Sequence, residues 1–211
     1  MNQTQPMKRI TLLALLRELV PKRALTWREA ERIAELQANR LREILGLNQA
    51  KLPEEAISEL PRMDVRRESD LPVSGLTYWD SGRWLIALNA QEPLGRQRFS
   101  LAHEFKHVLD HTERDWLYLT GRVWSRNEQA EHLADYFAGC LLMPKRWVKR
   151  LFGERSSGIS LADAFGVTPR AMQVRLSQLG LIEPTPRCDR PGPRATKTYF
   201  RQSTQPLKVA A

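Results

Sequence analysis

Apolar residues in this chain recur mostly at helical spacing, with one short stretch near the middle patterned differently. Met7–Val20 is Leu-rich, begins with Lys8-Arg9 and is interrupted by Arg17 and Glu18, which reads as an amphipathic helix rather than a signal peptide. Thr26–Leu45 is a second helix: Thr26 is its cap, Glu29 stands three residues on as a capping box, and Gly46 follows its end. Leu52–Ser58 is a shorter helix candidate. The period then changes. Gly75–Trp79 and Arg83–Leu88 are strand-like and joined by Asp80-Ser81-Gly82, which predicts a β-hairpin. Helical spacing returns in Phe99–Asp110, where Leu101, Ala102, Phe105, Val108 and Leu109 form an apolar stripe and Ser100 is the expected N-cap. A long helix follows over Asn127–Met143 and is stopped by Pro144. Ser160–Leu181 reads as a short helix, a Gly-containing turn and a second helix carrying Arg170, Gln173 and Arg175, a helix-turn-helix-like pattern.

Charge separates the chain into two parts. The whole carries +9, and residues 145–211 hold 13 Lys/Arg against 4 Asp/Glu, so the first 144 residues are neutral. The proline-rich basic stretch Arg187–Lys208 is expected to be disordered. A basic end attracts phosphate without specifying sequence, which makes weak nonspecific DNA contact through the C-terminus a candidate interaction. Cys140 and Cys188 make no disulfide framework and suit a reducing, cytoplasmic setting, and no transmembrane segment is expected, hence no membrane partner.

Chemistry concentrates in His103-Glu104-Phe105-Lys106-His107. Side chains four apart on a helix lie one above the other, about 6 Å along the axis, so both imidazoles can reach one ion. Glu104 stands where a general base takes a proton from an activated water, which reads as zinc-dependent hydrolysis, foremost of a peptide bond. Zinc hydrolases use three protein ligands. His111 lies two turns beyond His103, about 12 Å, and cannot converge with it on one ion. In the next helix Glu131 and Asp135 share a face, so a ligand and a carboxylate that orients a liganding histidine can come together. Glu128, one turn earlier on nearly the same face, is the competing ligand, and periodicity leaves both open. Tyr136 and Arg98 are candidate donors to a transition-state oxyanion, and His132, adjacent to Glu131, points off the ligand face. Zinc suits the ligand types, and Mn2+ or another divalent ion also takes such a set. Because a strand beside such a helix can pair with an extended substrate, Arg83–Leu88, with Trp84, Leu85, Ile86 and Ala87 at its centre, is the candidate for that edge.

Arg98–His107, together with Glu131–Ala138 running on into Leu141-Leu142-Met143-Pro144, resembles the ImmA/IrrE family of metallopeptidases over roughly residues 25–185. In that family the second segment reads Glu-x-x-Ala-x-x-Phe-Ala and its glutamate is the third ligand, which by resemblance is Glu131. The spacing of Glu131 and Asp135 is also similar to that of thermolysin-like peptidases. Lys106 departs from the pattern, since family members usually carry Gly there; off the ligand face and near Asp110, it is expected to leave metal binding intact. The resemblance implies an α+β fold, a zincin-like metallopeptidase core with a small antiparallel sheet and a helical, helix-turn-helix-like C-terminal extension. The expected divisions are an N-terminal helical extension over 1–24, the metallopeptidase domain over 25–150, the helix-turn-helix-like segment over 151–186 and a basic tail over 187–211. It further implies a protein substrate, a helix-turn-helix repressor of a mobile element or stress regulon. The alternative is a DNA-binding regulatory or toxin-antitoxin-type protein whose metal site is not catalytic.

Overall fold

In the computed structural model, residues 11–119, 123–154 and 158–183 are described, the last group without the side chains of 158–160. Helices α1 (Leu12–Arg17), α2 (Trp27–Ile44) and α3 (Glu55–Ser58) precede strands β1 (Met63–Glu68), β2 (Gly75–Asp80) and β3 (Arg83–Asn89). Then follow α4 (Leu94–Asp110), α5 (Arg114–Leu117), α6 (Arg126–Leu142), α7 (Lys145–Glu154), α8 (Gly158–Phe165) and α9 (Pro169–Gln178). The fold is α+β. Helix α6 lies between α2 and α4, and α4 lies between α6 and the sheet.

The capping box of α2 forms as its sequence requires, Thr26 Oγ1 accepting from the Glu29 amide and the Glu29 carboxylate accepting from the Thr26 amide. The hairpin also forms. Asp80 pairs with Arg83 across a two-residue loop in which Ser81 and Gly82 both have positive φ, 45° and 84°, as a type I′ turn requires.

Three expectations are corrected. The sheet is mixed, not purely antiparallel: β3 pairs antiparallel with β2 and parallel with β1, a strand the alternation did not reveal, in the order β1-β3-β2. Trp84, Leu85, Ile86 and Ala87 therefore have no open edge to offer a substrate. Their uninterrupted apolar run is the mark of a strand covered on both faces: Trp84, Ile86 and Leu88 join the main core, and Leu85 and Ala87 pack with Leu71, Val73 and Leu76 on the other side. Third, the motif helix starts at Leu94 behind Pro93, so Ser100 is a buried interior residue rather than an N-cap.

Of the expected N-terminal helix, Leu12–Arg17 is present behind a Thr11 cap, and Met7–Ile10 lie outside the described residues, as do Cys188 and the Arg187–Lys208 tail. Arg17, which interrupts the apolar run, closes the end of α4: its Nε donates to Leu109 O at 3.0 Å and Nη2 to Val108 O at 2.7 Å. The helix-turn-helix-like pair is α8 and α9. Arg175 is buried and donates Nε to Met143 O at 3.1 Å, at the end of α6, whereas Arg170 and Gln173 are exposed.

Helix α4 is buried on every side from Ser100 to Asp110, although it carries five ionisable side chains there. Charges in such a place require partners. Lys106, fully buried, donates Nζ to Asp110 Oδ1 at 2.5 Å and to Gln37 Oε1 at 2.8 Å, and the Tyr118 hydroxyl donates to the other Asp110 oxygen. Gln37 in turn donates to Leu16 O at 3.0 Å, so one buried network joins α1, α2, α4 and the segment after α5. Removing its cation strands a buried carboxylate. Lys106→Met is expected to lower the unfolding free energy of the metal-free protein by about 3–5 kcal/mol, read by urea denaturation, and Lys106→Met with Asp110→Leu to recover part of it.

Candidate metal centre

The helical spacing of His103 and His107 places their Nε2 atoms 3.1 Å apart. Helix α6 crosses beside them and supplies Glu131, whose Oε2 lies 3.3 Å from His103 Nε2 and Oε1 3.4 Å from His107 Nε2. The three ligand groups thus converge on one point. Ligands about 2.0–2.1 Å from a tetrahedral zinc stand about 3.3 Å apart, and these three edges agree with that value. Asp135, one turn beyond Glu131, accepts from His103 Nδ1 at 2.9 Å, which leaves the Nε2 lone pair turned toward the convergence point. With both Nε2 atoms unprotonated, two imidazole nitrogens and a carboxylate so placed form an all-acceptor set, and a cation is its natural complement.

The electrostatics point the same way. Burial disfavours a charged His103, but the hydrogen bonds to Asp135 and Glu131 outweigh it and hold the ring's pKa well above the usual histidine range. His107 is pushed down, first by burial and then by the charge on His103. Free of metal, the cluster takes up one proton, at His103, and a bound metal ion would take that proton's place.

Glu104 is buried next to this set. Its Oε2 accepts from Thr77 Oγ1 at 2.7 Å, and Gly75 leaves the room its stem needs, since a Cβ there would lie 3.0 Å from Glu104 Cγ and 3.2 Å from Oε1. Burial raises the Glu104 pKa, against the lowering effects of His103 and Thr77. A carboxylate so raised and held is suited to taking a proton near neutral pH. Thr77 and Gly75 carry no sign of this role in the sequence beyond sharing one face of a strand.

Other expected residues go elsewhere. Glu128 caps α6, accepting from the Ser125 amide and hydroxyl, both at 2.8 Å, so of the two ligand candidates only Glu131 joins the histidines. Arg98 is turned to main-chain carbonyls, donating to Gly166 O at 3.0 Å and to Leu52 O, and serves to hold these segments rather than to meet an oxyanion. Tyr136 faces Cys140 and the Arg175 guanidinium, 5.9 Å from its ring centre, instead of the ligands. His132 stacks at 4.5 Å on Trp124. His111 lies 4.9 Å from the Trp84 ring and takes no part in the ligand set.

Residues 63–177, β1 to α9, match the peptidase family described as IrrE N-terminal-like domain. The chain belongs to that family. Helix α2, which packs against α6, precedes the matched stretch. A solved structure described as a Mycobacterium tuberculosis transcriptional regulator is similar at a TM-score of 0.52 and 18% identity, over 77% of this chain and 50% of that one. The likeness is one of fold, and the chain spans about half the length of that protein. No curated protein sequence matches. Among the described residues no helix is long and apolar enough to cross a membrane.

Elemental analysis separates the two glutamates: Glu131→Ala is expected to abolish a stoichiometric metal content that Glu128→Ala retains. The raised His103 pKa carries a sign. Below it the metal-free ring holds a proton that binding must displace, so zinc affinity is expected to climb with pH through the neutral range, by about tenfold per unit for one displaced proton. Calorimetry in buffers of different ionisation enthalpy would read that proton directly.

Proposed function

We propose that this protein is a zinc-dependent endopeptidase. The observation that carries the reading is the meeting of His103, His107 and Glu131 within ligand distance of one another, with Glu104 buried beside them and seated by Thr77. A bound ion supplies a Lewis acid for the scissile carbonyl and makes a water acidic enough to attack at neutral pH. Asp135 keeps His103 oriented toward the ion. Glu104 takes the proton of the attacking water and delivers it to the leaving amide nitrogen. Thr77 keeps one Glu104 oxygen in place through both transfers. Burial of these groups excludes bulk water and strengthens each polar contact.

The substrate in this reading is a helix-turn-helix transcriptional repressor, cut in the cytoplasm to release the genes it holds silent. It rests on the likeness to the ImmA/IrrE peptidases, and the description of the solved neighbour as a transcriptional regulator accords with it. The positive charge gathered after residue 144 would bring the enzyme near a DNA-bound target by weak phosphate attraction.

Glu104→Gln keeps the shape of the side chain and removes the base. It is expected to retain the metal and to lower hydrolysis of a co-expressed repressor by about 10²–10⁴-fold, read by intact-mass analysis of the repressor. Undiminished cleavage would sink the peptidase mechanism. Normal release of transcription by the Glu104→Gln variant, without cleavage, would mean that the protein acts by binding.

A further inference from the structure

We propose that Trp79, backed by Trp84 and His111, forms an aromatic subsite that seats a bulky aromatic or aliphatic side chain of the substrate chain, one strand step from Glu104. The proposal rests on the endopeptidase reading.

Two separate elements lead from the metal centre to this cluster. Along β2, residues two apart share a face, so Gly75, Thr77 and Trp79 look the same way. Gly75 and Thr77 meet Glu104, and Trp79 lies one step on, about 7 Å further along the strand. Along α4, His103, His107 and His111 make one stripe, and His111 keeps helical backbone angles at φ −51° and ψ −41°. It therefore stands one turn beyond His107, about 6 Å along the axis. The two lines end on the same residue, Trp84. Trp79 is its cross-strand partner and meets it edge to face at 5.2 Å, while His111 meets it edge to face at 4.9 Å.

The cluster is built to receive something apolar. Trp84 is the buried floor, yet the Trp79 side of the cluster is open, with that residue 48% exposed. His111 is held below the usual histidine range by burial and by the charges of Arg17 and Arg114, so it presents a neutral ring at neutral pH.

The register identifies which part of a substrate arrives there. Among the described residues β2 is paired on one side only, so an extended peptide can add to its open edge. Residues directly opposite in such a pairing point to the same face. The peptide residue opposite Thr77 then lies beside Glu104, and the one opposite Trp79, two positions along, lies against Trp79, the exposed outer ring of the cluster. His111, which is too far along its helix to be a ligand, backs Trp84, the ring on which Trp79 rests.

The test compares peptide pairs that differ by Phe or Ala at one position. A mixture of peptides from digested, denatured protein is incubated with the zinc-loaded enzyme, and the cut sites are read by mass spectrometry. The expected result is a preference for Phe, Tyr, Trp or Leu at one fixed position near the cut bond. In Trp79→Ala the Phe-to-Ala ratio of kcat/KM at that position falls by about tenfold or more. Trp79→Leu, which keeps a side chain packed on Trp84, falls between. An unchanged ratio in Trp79→Ala that still binds zinc overturns the proposal. If the wild-type protein cuts no peptide in this mixture, the subsite is tested by binding, independently of the repressor-cleavage test of the hydrolase reading. Labelled Ser/Ala-rich peptides with one central Phe or Ala are titrated into zinc-loaded Glu104→Gln, with and without Trp79→Ala. Tighter binding of the Phe peptide that disappears with Trp79 upholds the subsite, and equal binding of both peptides overturns it.

Discussion

A helical stretch buried on all sides that nonetheless carries five ionisable groups is the constraint from which the rest of this molecule follows. Helix α4 carries His103, Glu104, Lys106, His107 and Asp110 into the interior, and an ionisable group there is tolerable only with a partner. No single neighbour could supply them all. Thr77 comes from the sheet, Glu131 and Asp135 from α6, Gln37 from α2, and Tyr118 from the chain after α5. The layered packing and the candidate metal centre are therefore two views of one requirement.

The helix divides its charges between two faces. On one, three ligand groups and Glu104 gather around a point where a cation fits. On the other, Lys106 and Asp110 neutralise one another inside a closed hydrogen-bond network. That neutrality allows a lysine to sit beside the candidate ligands without leaving a net charge at their side. Most of its charge is answered locally, so only a small part lowers the His107 pKa.

Patterns confined to one element could be read from the chain directly. The α2 capping box, the Asp80-Ser81-Gly82 hairpin and the one-face stripe of His103 and His107 depend on residues a few positions apart, and local geometry decides them. Roles that depend on which elements meet could not be read that way. Arg98 and Tyr136 had suitable chemistry for the site, but neighbouring segments draw them to carbonyls and to Arg175 instead. Trp84–Ala87 had the composition of a strand, but its place in the middle of the sheet depended on β1, a strand with little alternation of its own.

What the sequence determined by itself is the chemistry: a two-histidine stripe with an adjacent glutamate, and two acidic residues on the following helix of which either could be the third ligand. The family likeness favoured Glu131. The tertiary structure decided the remainder. It brought Glu131 to the histidines while Glu128 capped its own helix, seated Glu104 between Thr77 and Gly75, and set His111 against Trp84. The physical reason is range. Helical period, caps and tight turns act over a few residues, whereas the partner of a buried charge is chosen by how whole helices and strands pack.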